Sequence, residues 1–441
     1  MMELAGKRVM VVGLGVSGVA AANFLHSHGA SLVMADLRKD LDRAKLPPGE
    51  VHLGAEDAAR LHGVNLVVTS PGIPRDSILL RAAVDAKIPV IGEIELASRF
   101  IAAPIVAVTG TNGKSTVVVL IGEILRAAGL KAFVGGNLGT PLVDAVDSGA
   151  AVVVAEISSF QLEWIESFRP HIGVHLNLAD DHFDRYRGLE DYGRAKARLF
   201  ENQQAGDFAI LNRDDPNVWK LAAKVRSRVI GFSLAGGSAG VLLWPDGETI
   251  AFEITGRRGR ISLAGFRLGG RHNIANAMAA SAAALTLGID PAIIAQSLAT
   301  FKGLPHRIEL VRVKDGVTYI DDSKGTNVGA TAEAIAAAPA PVILIAGGTD
   351  KGGDYAPLVA PIREKVRLTI LNGAAREKMR AALAGSGQVE VLSTLAEAVA
   401  RAAQAARPGD TVLMSPACSS FDQFKDYAER GNVFKKLVLA L

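Results

Sequence analysis

Residues 109–116 read Thr109-Gly110-Thr111-Asn112-Gly113-Lys114-Ser115-Thr116. Glycines let a turn point its backbone N–H groups at an anion, and a helix start adds a favourable dipole. Lys114 can then reach terminal phosphates, and Ser115 or Thr116 can hold a divalent cation. The full P-loop pattern is not met, because its first glycine would fall at Val108. The shorter Gly-x-x-Gly-Lys-Ser form stands between an apolar run, 105–108, and a helix-forming stretch. An ordinary glycine turn would leave Lys114, Ser115 and Thr116 unexplained, so a nucleotide is the expected ligand.

A second turn, Gly13-Leu14-Gly15-Val16-Ser17-Gly18, follows the apolar run 8–12, and Asp36 closes the next one. That is the dinucleotide fingerprint. Alone it would suggest a nicotinamide enzyme. Beside a second nucleotide loop that choice weakens, since the same turn can hold the diphosphate of any nucleotide, a UDP-sugar included. A Rossmann-like fold with no ligand is the plain alternative.

Glu156 ends the run 151–155, where NTPases of this kind place metal-binding acids. Asp180-Asp181-His182-Phe183-Asp184 follows the run 172–176. Carboxylate and imidazole are both acceptable Mg²⁺ ligands. A lone Glu there is more often a cap, and a lone His more often only hydrogen-bonded; their shared place at one sheet edge favours metal. Lys196, within a helical stretch 192–200, looks like an ordinary solvated lysine. Arg307, Asp322, Lys324, Thr326 and Lys351 form a polar set on turns after strands, where open α/β sheets bind ligands. Two lysines there fit an anion, although exposed loop lysines would look the same. Cys418, the only cysteine, has no partner motif and reads as an incidental or buried thiol.

These groups need elements to hold them. Strands are expected at 8–12, 31–35, 66–69, 105–108, 151–155, 172–176, 317–320, 342–346, 366–371 and 411–414, alternating with helices such as 19–27 and 273–287. Such alternation means α/β. Three blocks emerge: residues 1–92, Rossmann-like; 93–300, a P-loop ATPase-like centre with a parallel sheet and a small antiparallel sheet within 225–268; and 301–441, again Rossmann-like. The 441 residues carry 49 % hydrophobic side chains, enough for several cores. A net charge of +3 with no basic run makes nucleic acid a weak candidate, and none is expected as a partner. One cysteine excludes a disulfide framework within the chain and fits a reducing cytosol. The uncharged stretch 9–25 after Lys7-Arg8 imitates a signal peptide, but three glycines would spoil the apolar helix. The uncharged stretch 273–289 is too short to span a membrane, and no membrane partner is expected.

Taken in order, 109–116, Glu156-Ile157-Ser158-Ser159-Phe160-Gln161, 177–182, His272-Asn273-Ile274-Ala275-Asn276 and Gly303-Leu304-Pro305-His306-Arg307 resemble the Mur ligase family over the whole chain. Two further features resemble the branch that adds D-glutamate to UDP-N-acetylmuramoyl-L-alanine: the 13–18 turn with Ser70-Pro71-Gly72-Ile73-Pro74, and 415–425 with Glu429-Arg430-Gly431. Folylpolyglutamate synthases share the central loop but not the first block.

The resemblance implies roles that spacing does not. The UDP substrate would be held by Gly13, Leu14, Gly15, Ser17, Asp36, Arg38, Ser70 and Gly72, with Asn137, Ser158, Gln161 and His182 nearer the sugar. ATP would meet Gly110, Thr111, Asn112, Gly113, Lys114, Ser115, Thr116, Asn276, Arg307 and Asp322. Two Mg²⁺ ions would be held by Ser115, Glu156, His182 and Lys196, the last as a carbamate, which turns a cation into a carboxylate-like ligand. Lys324, Thr326, Ser420, Phe421 and Tyr427 would hold D-glutamate. Lys114, His182, Lys196 and Lys351 would serve catalysis. Asp350 is displaced by one residue from a family acid, and Leu37 replaces an expected polar neighbour of Asp36. The implied chemistry is an acyl phosphate formed from ATP and then attacked by the D-glutamate amine, in a cytoplasmic monomer whose domains close on their substrates. No residue declares itself the general base; His182 is a candidate. A folate ligase, a nicotinamide oxidoreductase and a nucleotide-binding scaffold without activity are the rivals.

Overall fold

The computed structural model describes residues 2–183, 185–254 and 256–441; Asp184, quoted above, lies outside them. The chain forms three sheets distributed over two compact units. The first unit comprises residues 1–177, 192–264 and 276–298, and the second 178–191, 265–275 and 299–441.

The first unit opens with a parallel sheet ordered Glu50–Leu53, Ser31–Asp36, Arg8–Val12, Leu66–Thr69, Val90–Gly92. Val9 to Val12 and the whole of Leu66–Thr69 are buried, which is why they are continuous apolar runs rather than alternating ones. Strand order reverses between Arg8–Val12 and Leu66–Thr69. Ligands of doubly wound sheets enter at such a reversal. The glycine turn and Ser70 follow these two strands. The helix after the turn is Val16–Ser27, starting earlier than 19 because Gly15 serves as its N-cap.

The second sheet has nine strands. Ile105–Thr109 lies between Val152–Glu156 and Ile172–His175, all parallel. Val108 pairs with Glu156, and Thr109 with His175. The phosphate loop, Glu156 and residue 177 therefore leave one carboxyl edge side by side. The antiparallel strands expected within 225–268 form, but they extend this sheet instead of standing apart. Val241–Asp246 pairs parallel to Arg228–Phe232, and Thr249–Ile254 and Arg257–Ser262 fold back in hairpins. Gly247, at φ +59, supplies the tight Asp-Gly turn of the first hairpin. The Ala-rich helix is Arg271–Thr286; from Ala277 to Leu285 its apolar residues are all buried. Burial in protein explains the missing charges. Among the described residues no helix is long and apolar enough to cross a membrane.

The third sheet lies in the second unit, ordered Glu309–Lys314, Val317–Asp321, Thr411–Met414, Val342–Gly347, Val366–Asn372, Val389–Val391. All four expected strands form. The two edge strands were not legible. One is half charged and antiparallel, and the other is three residues long.

Candidate active site

The 13–18 turn is locked by contacts that only glycine allows. Gly13 has φ +86. A Cβ at Gly18 would lie 1.8 Å from the Gly13 carbonyl oxygen. The Ser70 hydroxyl donates to that same oxygen at 2.6 Å, joining the two turns that flank the strand reversal. At Gly15 and Gly72 a side chain would meet nothing, so these backbones face open space. Asp36 accepts from Leu14 N–H at 2.7 Å and from the Arg38 guanidinium at 2.7 and 3.0 Å. Burial acts to raise the Asp36 carboxyl, but these hydrogen bonds win and hold it down to about 2. It is a fixed anion that shapes the turn. Leu37, beside it, is 62 % exposed.

The phosphate loop is equally determined. Gly113 is the left-handed N-cap of helix Lys114–Ala127, and a Cβ there would lie 2.4 Å from Asn276 Oδ1. The Asn276 amide is therefore packed on the loop. Lys114 Nζ donates to the Gly110 and Thr111 carbonyls at 2.9 Å each. Ser115 and Thr116 are buried in the first helical turn. Glu156 is buried beside them and accepts from Asn137 Nδ2 at 2.8 Å. A hydroxyl and a carboxylate, both hard oxygen donors on adjacent elements, fit Mg²⁺.

Lys196 is not a solvated lysine. It is 1 % exposed, and its Nζ donates to the Gly110 carbonyl at 2.9 Å. The ammonium also lies 4.6 Å from the Tyr192 ring centre. His175, unremarked in the sequence, is buried nearby on the strand paired to Thr109. Neither ring nitrogen has a hydrogen-bond partner. Burial, helped by Lys196 and Lys114, pushes its imidazole down to about 3, so it is neutral. Ser158 and Gln161 form a capping box on helix Ser159–Leu162, which ties up the Gln161 carbonyl.

In the second unit His182 sits at φ +57, its N–H donating to Asp181 Oδ1 at 3.0 Å. Lys351 Nζ lies 3.4 Å from the same oxygen. His182, Lys351 and Thr326 line one cleft with Asp181 and Tyr355. Asp350 has a packing role there: it accepts from the Tyr355 hydroxyl at 2.7 Å and Lys378 at 2.6 Å. Lys324 Nζ stands 3.7 Å from the Tyr427 ring centre. Ser420 is buried, whereas Phe421 is 73 % exposed. Arg307 is flanked by His306 and Ile308, both at positive φ, the second a conformation that a β-branched residue rarely adopts. Anchors hold them: His306 Nδ1 to Asp321 at 2.7 Å, and Ile308 N–H to Asp322 at 3.3 Å. Burial pushes the Asp322 carboxyl up to about 7 against the Ser415 hydroxyl and Arg307. Burial also raises the Cys418 thiol to about 11, which disqualifies it as a nucleophile at neutral pH.

Comparison with known proteins follows this geometry. The Mur ligase MurD-like N-terminal domain matches residues 7–92, the Mur ligase middle domain 108–284, and the Mur ligase glutamate ligase domain 306–418. A protein of Geobacter metallireducens named UDP-N-acetylmuramoylalanine--D-glutamate ligase is 48 % identical over all of this chain and 99 % of its own length. One of the same name from Geotalea daltonii is 47 % identical at the same coverage. The chain belongs to the Mur ligase family. Among solved structures, a pseudomurein peptide ligase of type C from Methanothermus fervidus shares the fold of this Mur ligase, with a TM-score of 0.62 at 19 % identity, covering 99 % of this chain and 100 % of that one.

Asn177 and Arg430, quoted in the motifs above without a role, hold loops of this Mur ligase together. Asn177 closes the phosphate loop through Asn112. Arg430, 4 % exposed, joins the 323 and 418–419 turns by donating to the Ser323, Cys418 and Ser419 carbonyls. An asparagine directly after an apolar strand was the available signal for the first. For the second the Glu429-Arg430-Gly431 motif marked the position, but its burial was not legible because the helix looks polar.

Proposed function

We propose that this chain joins D-glutamate to UDP-N-acetylmuramoyl-L-alanine at the expense of ATP, in the synthesis of peptidoglycan precursors. The observation that carries this reading is the pairing, in one unit, of a nucleotide turn at a strand reversal with a phosphate loop ringed by buried Ser115, Glu156 and Lys196. A whole-chain likeness to D-glutamate ligases supports the amino acid.

In this reading residues 1–92 take the UDP group, 93–300 the ATP, and 301–441 the D-glutamate. The L-alanyl carboxylate attacks the γ-phosphorus of ATP and ADP leaves. The D-glutamate amine then attacks the acyl phosphate carbon and phosphate leaves. Lys114 and the loop N–H groups neutralise charge on the transferring phosphoryl group, so catalysis is largely positioning and electrostatics. Mg²⁺, when bound, would shield the phosphate charges. Ser115 and Glu156 are its proposed ligands, joined by Lys196 as a carbamate; a second ion and His182 belong to the same proposal. Asn137 and His182 face the UDP-sugar substrate, and Asn276, Arg307 and Asp322 serve ATP. Lys324, Thr326, Ser420, Phe421 and Tyr427 receive the amino acid, and Lys351 serves catalysis from the third block. The enzyme is expected to act as a cytoplasmic monomer.

Phosphate release from ATP with UDP-N-acetylmuramoyl-L-alanine tests the reading. Release should require D-glutamate and fail with L-glutamate, meso-diaminopimelate or no amino acid. Release with another amino acid changes the substrate; none with any mixture, from folded protein that binds ATP, removes the activity.

A further inference from the structure

The short helix Glu93–Ser98 carries two buried carboxylates that behave differently. Glu95 is saturated. It accepts from the Glu166, Ser167 and Phe168 N–H groups, the Ser167 hydroxyl and Arg99. Glu93 is 2 % exposed and receives one N–H, from Val143 at 2.8 Å, on Oε1. Its Oε2 is buried with no hydrogen-bond partner among the described residues. Burial pushes its carboxyl up to about 7 against the N–H groups of residues 142 and 143. A buried carboxyl half satisfied in this way costs stability, so packing alone gives no reason for it.

The N–H groups that face it show where it acts. Val143 lies in the single turn Leu142–Ala145, whose N-cap is Pro141 with no side-chain cap. Glu93 supplies that cap from 50 residues away. The turn follows the loop 136–141, which is held closely at its start. Gly136 N–H donates to Thr140 O at 2.7 Å, and a Cβ on Gly136 would lie 2.4 Å from Glu156 O. Asn137 is carried on this loop, its N–H on the Glu156 carbonyl and its amide on Glu156 Oε1, both at 2.8 Å. On its other side Glu93 follows Gly92, which pairs with Thr69, the neighbour of Ser70 in the nucleotide turn.

We infer that Glu93 is a positioning residue for substrate binding: by capping the 142–145 turn it fixes the Asn137 loop relative to the first sheet, so that one element aligns the nucleotide turn with the Asn137 contact of the UDP substrate. This rests on Asn137 being a substrate contact.

The test compares KM for each substrate in Glu93→Met, which fills the same volume without an acceptor, Glu93→Gln, which keeps one, and Asn137→Ala. Glu93→Met should raise KM for the UDP substrate about tenfold, the scale of one lost buried hydrogen bond, and leave KM for ATP within about twofold. Glu93→Gln should return the UDP-substrate KM close to the native value. Hydrogen exchange at the Val143 amide should be fast in the Met variant and slow in the Gln variant. Equal KM rises for all three substrates, or a UDP-substrate KM unchanged in Glu93→Met while Asn137→Ala raises it, overturns the inference alone. An unchanged KM in Asn137→Ala overturns it together with the reading of Asn137. If Glu93→Met does not fold, Glu93→Ala reads the same split with the same outcomes.

Discussion

The Asn177 side chain holds the Asn112 peptide group of the phosphate loop by both faces: Oδ1 accepts the Asn112 N–H at 2.8 Å and Nδ2 donates to the Asn112 carbonyl at 3.1 Å. The Asn177 carbonyl takes the Thr111 N–H as well, at 3.0 Å. A loop that must aim its amides at phosphate is thus shaped from the neighbouring strand end. Asn177→Ala removes two of the three bonds and leaves polar groups unpaired, at about 1–3 kcal/mol each. KM for ATP should rise about tenfold or more, with KM for the UDP substrate little changed. Asn177→Asp, which accepts but cannot donate, should fall between. Steady-state kinetics on the three proteins checks this; a native KM for ATP in Asn177→Ala would show that the loop shapes itself.

Lys196 donates to the Gly110 carbonyl from a site that is 1 % exposed. Removing it strips support from the loop and, if the carbamate forms, a metal ligand. Lys196→Ala should lose about 10–100-fold in activity, as groups supporting a metal site do. Acetate should restore part of the loss only if a carboxylate acts at this position. Rescue by acetate, scored against Lys196→Arg as a control, separates the carbamate from the bare ammonium.

Two glycines should fail in different ways. A Cβ at Gly113 would meet Asn276 Oδ1 at 2.4 Å with φ at +85, so Gly113→Ala distorts the loop itself. ATP binding should drop by more than about tenfold, the scale of a displaced site group. A Cβ at Gly431 would lie 2.2 Å from His306 Nδ1 and 2.8 Å from Asp321 Oδ2. Gly431→Ala therefore pries apart a buried hydrogen-bonded pair and should cost about 2–4 kcal/mol of stability in the second unit. Calorimetric melting and nucleotide titration distinguish the two; a Gly431→Ala protein with native melting would mean that the helix carrying it can shift.

Much of this was legible because parallel strands and anion turns leave local marks. Buried strands such as 8–12 and 105–109 are apolar runs, and the turns after them need glycine. What was hidden depends on partners distant in sequence. Lys196 looks solvated until its helix is packed under Gly110. Glu93 looks like a helix-start charge until Val143 arrives. The edge strand Glu309–Lys314 reads Glu-Leu-Val-Arg-Val-Lys, half charged and without strict alternation, so neither period nor composition marks it.

Acid should unfold this protein through His175. Its imidazole, ordinarily near 6.5, is held to about 3 by burial and the two lysines. Between those values the unfolded chain binds a proton that the folded chain refuses. Stability is therefore intact above pH 6.5 and is lost as pH falls toward 3, by on the order of 4 kcal/mol. Glu93 and Asp322 have the opposite sign. Burial raises both to about 7 from 4.5 and 3.8, so their contribution is present at low pH and is lost as pH rises through the range up to 7. Two carboxyls outweigh one imidazole, so denaturant midpoints should fall as pH rises from about 4.5 to 7, and the loss through His175 should show below about pH 4. His175→Leu, which removes the titrating ring that stacks on Phe200, should flatten the acid side and leave the range above pH 6.5 as it was. Glu93→Gln should do the reverse, gaining most at pH 7 and above. An acid limb identical in His175→Leu and the native protein would place the acid-sensitive group elsewhere.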